Sequence, residues 1–199
     1  MIHPHTELRF INHEIGYGIV ALKPLPKGTI TWVLDKLDRR FSPFQVREMD
    51  ELYQQVLDKY TYRNADGDYI LCWDNARFVN HSSNSNCLTT AYEFEIAIRD
   101  IAEGEQLTDD YGYLNLEEPF EVLPEPGSTR NIIYPDDLLK YYPEWDDKLL
   151  GAFPLVTQVE QPLMQLLGRN LQEKVKAISE GKEPMDSILN FYYRPDGRA

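Results

Sequence analysis

Thiols are nearly missing from this chain: of 199 residues only Cys72 and Cys87 carry one. Two cysteines cannot build a disulfide framework or a four-cysteine zinc site. A reducing compartment, cytoplasmic or else nuclear, is therefore the expected setting. No apolar run approaches the roughly 18 residues that a membrane span needs. The opening MIHPHTELRF lacks the basic and apolar regions of a signal peptide, so neither a membrane nor secretion is expected. Positive charge is scarce as well. Lys and Arg number 20 against 33 Asp and Glu, a net charge of −13. Residues 101–150 alone hold 13 acids and 3 bases. Such a surface repels a phosphate backbone, which argues against a direct nucleic-acid partner. It attracts and steers a basic peptide, and it also serves as a solvated acidic face. There is no G-x-S-x-G elbow, phosphate-binding loop or zinc-protease motif. A metal site is not expected. Asp109 and Asp110 have no histidine near them in sequence, and the loop from Asn64 has Asn75 where a calcium loop needs a bidentate Glu.

What is present organises into three parts. Residues 7–37 read as short strands, ELRFIN, GIVALKPL and TITWVL, broken by EIGYG and PKG turns. Residues 43–60 read as one helix. Ser42 can cap it, Pro43 suits its first position and Gln45 completes a capping box. Met49, Leu52, Tyr53, Val56, Leu57 and Tyr60 then share a face. Residues 68–112 return to strands: YILCW, LTTAY and EIAIRDI. The composition changes after Gly112, where Pro119, Pro124, Pro126, Gly127 and Ser128 mark a loop. Short helices are expected near 135–142 and 144–152. A longer one is expected near 162–179, with Leu163, Leu166, Leu167, Leu171, Val175 and Ile178 at helical spacing. Residues 190–199 are expected to fray.

Three stretches carry the functional signal. Gly16-Tyr17-Gly18 allows positive φ or close approach of backbone to a ligand, although by itself it reads as a hairpin turn. RFVNHSSNSN, Arg77 to Asn86, sets Asn80, His81, Ser82 and Ser83 behind an apolar Phe78-Val79 pair. Asn80-His81-Ser82 is formally a glycosylation sequon, which has no meaning without secretion. GEQLTDDYGY, Gly104 to Tyr113, puts Tyr111 and Tyr113 behind an acidic turn. In this order and spacing the three resemble the SET-domain protein-lysine methyltransferases. GYGIVALKPLPKGTI is similar to the family's opening. ARFVNHSSNSNC is similar to its Arg-Phe-x-Asn-His-Ser-x-x-x-Asn motif, and GEQLTDDYGY to its Gly-Glu-x-Leu-x-x-x-Tyr motif. The resemblance spans roughly residues 7–115 and does not extend to residues 116–199.

The resemblance implies a mainly β fold with helices: small curved sheets and a pseudoknot in which the Tyr111 segment threads beneath a loop near Asn80. It implies a SET domain over residues 1–115 with an inserted helix at 43–60, and a mostly helical extension over 116–199 packing on that core. It implies S-adenosylmethionine as cofactor, contacted by Gly16, Tyr17 and Gly18 on one side, the Asn80 side chain at the amino-acid end, His81 backbone at the adenine, and Tyr111. Tyr111 is the expected catalytic residue beside the moving methyl, and Tyr113 is expected to line the lysine channel. The implied substrate is a lysine of a protein, basic in view of the charge. The alternatives are a SET-like module that binds a basic partner without activity, or a methyltransferase acting on another amine.

Three departures from the family pattern matter. Ser83 stands where cysteine is frequent. The cysteine-rich zinc cluster after the tyrosine is missing, so another group must cover the adenine, with Phe120 and Trp145 as candidates. Asp109 stands two before the tyrosine, where Phe or Tyr helps set the number of methyls, which leaves the product state open. An acid there could hydrogen-bond or pair with the incoming amine.

Overall fold

The computed structural model describes residues 1–194. The first part is a strand region. Strand β1 (Thr6–Asn12) pairs antiparallel with β2 (Gly16–Ala21). Asn12 turns the chain between them: its Oδ1 accepts from the amides of Glu14 and Ile15, and Gly16 takes φ +82°. That conformation suits glycine because it has no Cβ. The hairpin expected at Gly16-Tyr17-Gly18 is therefore there. Strand β3 (Ile30–Val33) is buried throughout, and β4 (Arg39–Phe41) follows it.

Residues 43–60 form two helices rather than one, α1 (Pro43–Arg47) and α2 (Glu51–Tyr60). The Ser42–Gln45 capping box is formed, with Pro43 at the start of α1. The break falls where Asp50 adopts extended ψ. The shared apolar face is not covered: Leu52 is 75% exposed and Tyr53 62%, while Leu57 is buried. Helical periodicity says which side chains share a face, and it does not supply a neighbour to cover it.

Strands β5 (Thr61–Arg63) and β6 (Tyr69–Leu71) complete a sheet with β4, in the order β4-β6-β5. The next strand is β7 (Asn80–His81). Strands β8 (Cys87–Thr89) and β9 (Phe94–Ala97) join β3 in the order β3-β9-β8. Strand β10 (Thr108–Asp109) pairs parallel with β7, Thr108 opposite Asn80 and Asp109 opposite His81. The two motif segments thus meet, although 26 residues of chain separate Asn80 from Gln106 in sequence. The architecture is the expected one of small sheets with a helical C-terminal region.

The C-terminal part begins with a two-residue hairpin, β11 (Phe120–Glu121) with β12 (Ile132–Ile133). The two short helices expected after it are one, α3 (Asp137–Ala152), running through Pro143. Proline lacks the amide that would bond Leu139. Leu139 is on the exposed side, and Leu138, Trp145 and Leu149 are buried on the other, so packing holds the helix through the gap. Helix α4 (Arg169–Ser179) starts seven residues later than expected, because a short 3₁₀ turn at Met164–Leu166 precedes it and Gly168 caps it.

The extension and the strand region share one core. Ile30, Val33, Leu88, Phe94, Ile96 and Tyr113 pack with Leu138, Trp145, Leu149, Phe153, Val175 and Phe191. Gly28 lies so close to Leu155 that a Cβ would fall 2.7 Å from the Leu155 Cβ. A second cluster of Ile19, Ala21, Leu25, Val79, Cys87, Ile101 and Leu107 lies under the β1–β2 hairpin. The fraying expected at 190–199 is corrected for its first part. Phe191 is buried, its carbonyl accepts from Asn115 Nδ2 at 2.9 Å, and the Tyr193 amide donates to Asn115 Oδ1 at 2.9 Å. Residues 195–199 lie outside the described residues.

Candidate active site

The polar run after Phe78-Val79 is a junction. Asn80 donates through Nδ2 to the Tyr17 carbonyl at 3.0 Å and to Gln106 Oε1 at 2.7 Å. One side chain thereby ties the glycine strand β2 to the acidic turn before β10. A Cβ at Gly18 would fall 2.0 Å from Gln106 Oε1 and 2.7 Å from Asn80 Nδ2, so any side chain there displaces these two amides from their bond. Asn86, the last residue of the motif, is 1% exposed and does the same work lower down. It donates to the Gln106 carbonyl at 2.8 Å, and its Oδ1 accepts from the Thr108 amide at 2.9 Å. Buried amides of this kind are retained because each of their polar atoms is satisfied.

His81 and Tyr111 complete the junction. The Tyr111 amide donates to His81 Nδ1 at 3.1 Å, and the Tyr111 hydroxyl donates to the Val79 carbonyl at 2.7 Å. Burial holds the His81 ring below its ordinary pKa, against the pull of Asp110 and Glu125. A neutral imidazole with the proton on Nε2 leaves Nδ1 free to accept that bond. Burial, reinforced by Asp109 and Glu95, raises the Tyr111 phenol well above its usual range, so it stays protonated. Ser82 and Ser83 hold the following loop: Glu125 Oε2 accepts from the Ser83 amide at 2.8 Å and from Ser82 Oγ at 3.2 Å.

Tyr111 stands on a cleft of about 950 Å³. Trp32, Tyr62, Val79, Glu95, Asp109 and Phe120 also line it. Tyr113 does not. It is fully buried in the shared core, its ring 5.8 Å from that of Trp145, so its expected place in the lysine channel is corrected. The same contact removes Trp145 as an adenine cover, since it is 2% exposed. Phe120 remains, 44% exposed and 6.1 Å from the Tyr111 ring. Tyr17 is 55% exposed beside Asn80, and Gly16 faces open space.

Two of the acids that line the cleft, Glu95 and Asp109, meet there. Glu95 pairs with Trp32 across β9 and β3, so the two share a sheet face. Asp109 arrives on β10 and is 5% exposed. Their carboxyl groups lie within hydrogen-bonding reach of each other, and the Tyr113 hydroxyl reaches Asp109 as well; Asp110, Tyr111, Tyr62 and Cys87 feel their charge. Burial raises Asp109 to about 6, and burial followed by Asp109 raises Glu95 well above the carboxylate range. Two such groups in a low dielectric cannot both ionise cheaply. Acids with raised folded-state pKa values keep protons that the unfolded chain has released. The stability they contribute is complete below about pH 4 and is lost as pH rises through 6 and beyond. Glu95→Gln removes the higher-titrating partner, so its loss of stability between pH 5 and pH 8 should be shallower than in the parent. Urea melts of both proteins at the two pH values measure this, and identical slopes would remove the pair from the account.

Sequence reasoning missed Glu95, Trp32, Tyr62 and Gln106. The one available signal was Glu95 itself, a single acid inside the apolar strand Phe94–Ala97.

Comparison with known proteins adds the family. Residues 16–112 match the family model of the SET domain. The chain carries a SET domain over these residues. The matched span of this SET domain runs from the glycine turn to the residue after Tyr111, and it contains every motif residue above except Tyr113. A search of the curated proteins finds no match. Among solved structures the SET-domain chain is similar to a Plasmodium falciparum protein titled as a candidate histone methyltransferase. The identity is 15%, over 55% of this chain and 95% of that one, with a TM-score of 0.41.

Proposed function

We propose that this protein is a methyltransferase that uses S-adenosylmethionine and acts on a lysine side-chain amine of a protein. The observation that carries the reading is that the parallel β7–β10 pair brings Asn80 and His81 against the segment of Tyr111, and that Tyr111 lines the cleft. The residues present fit the cofactor. Asn80 spends both recorded bonds through Nδ2, which leaves its Oδ1 to accept from an α-ammonium. Phe120, exposed beside Tyr111, supplies an aromatic face for a purine. When bound, the cofactor supplies an electrophilic methyl on a sulfonium.

The chain's own work is alignment. The Tyr111 ring is held by two hydrogen bonds, one through its amide and one through its hydroxyl, so it forms a fixed wall at the cleft. Fixed geometry of reacting groups can lower a barrier by several kcal/mol. Several acids of residues 101–150 are buried rather than at the surface, Asp109, Asp110 and Asp137 among them. Asp58 and Glu118 both line the cleft, together with Lys59 and Arg77, and the two acids favour a basic peptide. Transfer of a labelled methyl to basic proteins, followed by hydrolysis, tests the reading. Label recovered in methyl-lysine supports it, while label in an N-terminal amine, or tight peptide binding with no transfer, overturns it.

Asn80→Ala should weaken cofactor binding by about 1–3 kcal/mol, the cost of an unmet buried hydrogen bond. It also strands Gln106 Oε1, so the melting temperature should fall with it. Calorimetry on the folded variant decides, and unchanged affinity would take Asn80 out of the site.

A further inference from the structure

We infer that Glu95 and Asp109, walled by Trp32 and Tyr62, form a receptor for an ammonium that still carries N–H bonds, and that Glu95 thereby limits how far the target amine is methylated. The inference rests on the lysine-methyltransferase reading above.

Four observations converge at the cleft floor. Asp109 is 5% exposed, its Oδ1 makes no well-formed hydrogen bond, and its carboxyl group has Glu95 and the Tyr113 hydroxyl beside it. The Tyr62 hydroxyl is a second unpaired oxygen, and Trp32, 4% exposed, walls the same cleft. All three residues line the cleft. Among the described residues, no Lys or Arg side chain ion-pairs with Glu95 or Asp109. Buried carboxyl groups without a cation are costly, and unpaired buried polar atoms mark a place where a partner is missing. Without a cation the pair retains a proton, as the raised titration of both acids indicates.

The missing partner is cationic, small and a multiple donor. Two carboxyl groups side by side accept from two N–H bonds of one nitrogen. The rings of Trp32 and Tyr62, 5.8 Å apart and edge to face, attract positive charge without demanding a proton donor. An unmethylated lysine ammonium offers three N–H bonds and a monomethyl one offers two. A trimethyl ammonium offers none and would leave both carboxyl groups desolvated and unanswered. The site therefore holds the early methylation states and releases the late ones. This differs from a floor of aromatic side chains alone, which does not count N–H bonds.

The test uses the whole chain without cofactor, titrated with n-butylammonium, N-methylbutylammonium and N,N,N-trimethylbutylammonium and followed by protein NMR. The wild type should prefer the first two over the trimethyl form by at least about tenfold, the scale of one charge-assisted bond. Glu95→Gln and Asp109→Asn should each reduce that preference to about twofold or less. Melting curves should show both folded. No saturable binding, equal binding of the three amines by the wild type, or an intact preference in folded Glu95→Gln would each overturn the inference. The outcome separates from that of the parent reading. If lysine methylation fails while the preference holds, the methyltransferase reading falls and the ammonium receptor stands. If lysine is methylated and Glu95→Gln keeps the preference, the receptor falls alone.

Discussion

Tyr111→Phe should lower kcat by one to three decades and leave cofactor affinity within about threefold, a loss of roughly 1.4–4 kcal/mol in the transition state. The hydroxyl is the hinge of this expectation. It donates to the Val79 carbonyl at 2.7 Å, and the ring lies 5.4 Å from His81 and 6.1 Å from Phe120. Phenylalanine keeps the ring contacts and the backbone bond from the Tyr111 amide to His81. It loses the one bond that sets the depth of the ring in the cleft and leaves the Val79 carbonyl without its donor. An interaction that matters mainly when methyl donor and amine are in line should appear in kcat rather than in binding. Single-turnover methyl transfer beside calorimetric cofactor titration separates the two. Full turnover in the variant would reduce Tyr111 to a packing residue.

Arg130→Leu should cost about 3–5 kcal/mol of folding stability, the range for removing one partner of a buried ion pair. Arg130 grips Asp110 with both terminal nitrogens and Asp137 at 2.8 Å, and its guanidinium stacks 4.5 Å from the centre of the Tyr141 ring. Asp110 and Asp137 are 1% and 3% exposed, so neither carboxylate can turn to water when the cation is gone. Asp110 immediately precedes Tyr111 and accepts from the Gly112 amide at 3.0 Å, so the clip fastens the Tyr111 segment to the start of α3. Denaturant unfolding measures the loss. Adding Asp110→Asn and Asp137→Asn to the variant should restore much of it, because the penalty lies in the stranded charges. A loss below about 1 kcal/mol would mean that water reaches the pair and that the clip is a surface contact.

How much could be read beforehand differs from one element to the next. The Ser42 cap with Gln45, the Gly16 turn and the strands around Ile19, Trp32 and Ile96 are local matters. Capping chemistry, positive φ and runs of apolar β-formers act within a few residues, so they are written in neighbouring letters. Asn80, His81 and Tyr111 were legible through motif spacing, and the geometry joins them. The misread elements were those decided by distant partners. The face of α2 keeps helical spacing but has no neighbour over Leu52 and Tyr53. Residues 135–152 hold a proline that argues for two helices, yet burial of Trp145 and Leu149 against the strand core keeps one. Tyr113 is two residues from Tyr111 and looks equivalent on paper, but the core takes one ring and the cleft takes the other.

By itself, then, the amino-acid order determined which segments turn, cap and extend, and which three stretches belong together. Only the tertiary structure decided that Glu95 from β9 meets Asp109 from β10 with no cation between them, and that Arg130 neutralises Asp110 and Asp137 instead. The reason is physical. Burial and charge compensation depend on which groups come within a few ångströms of each other, and strand pairing between residues far apart in sequence sets those distances.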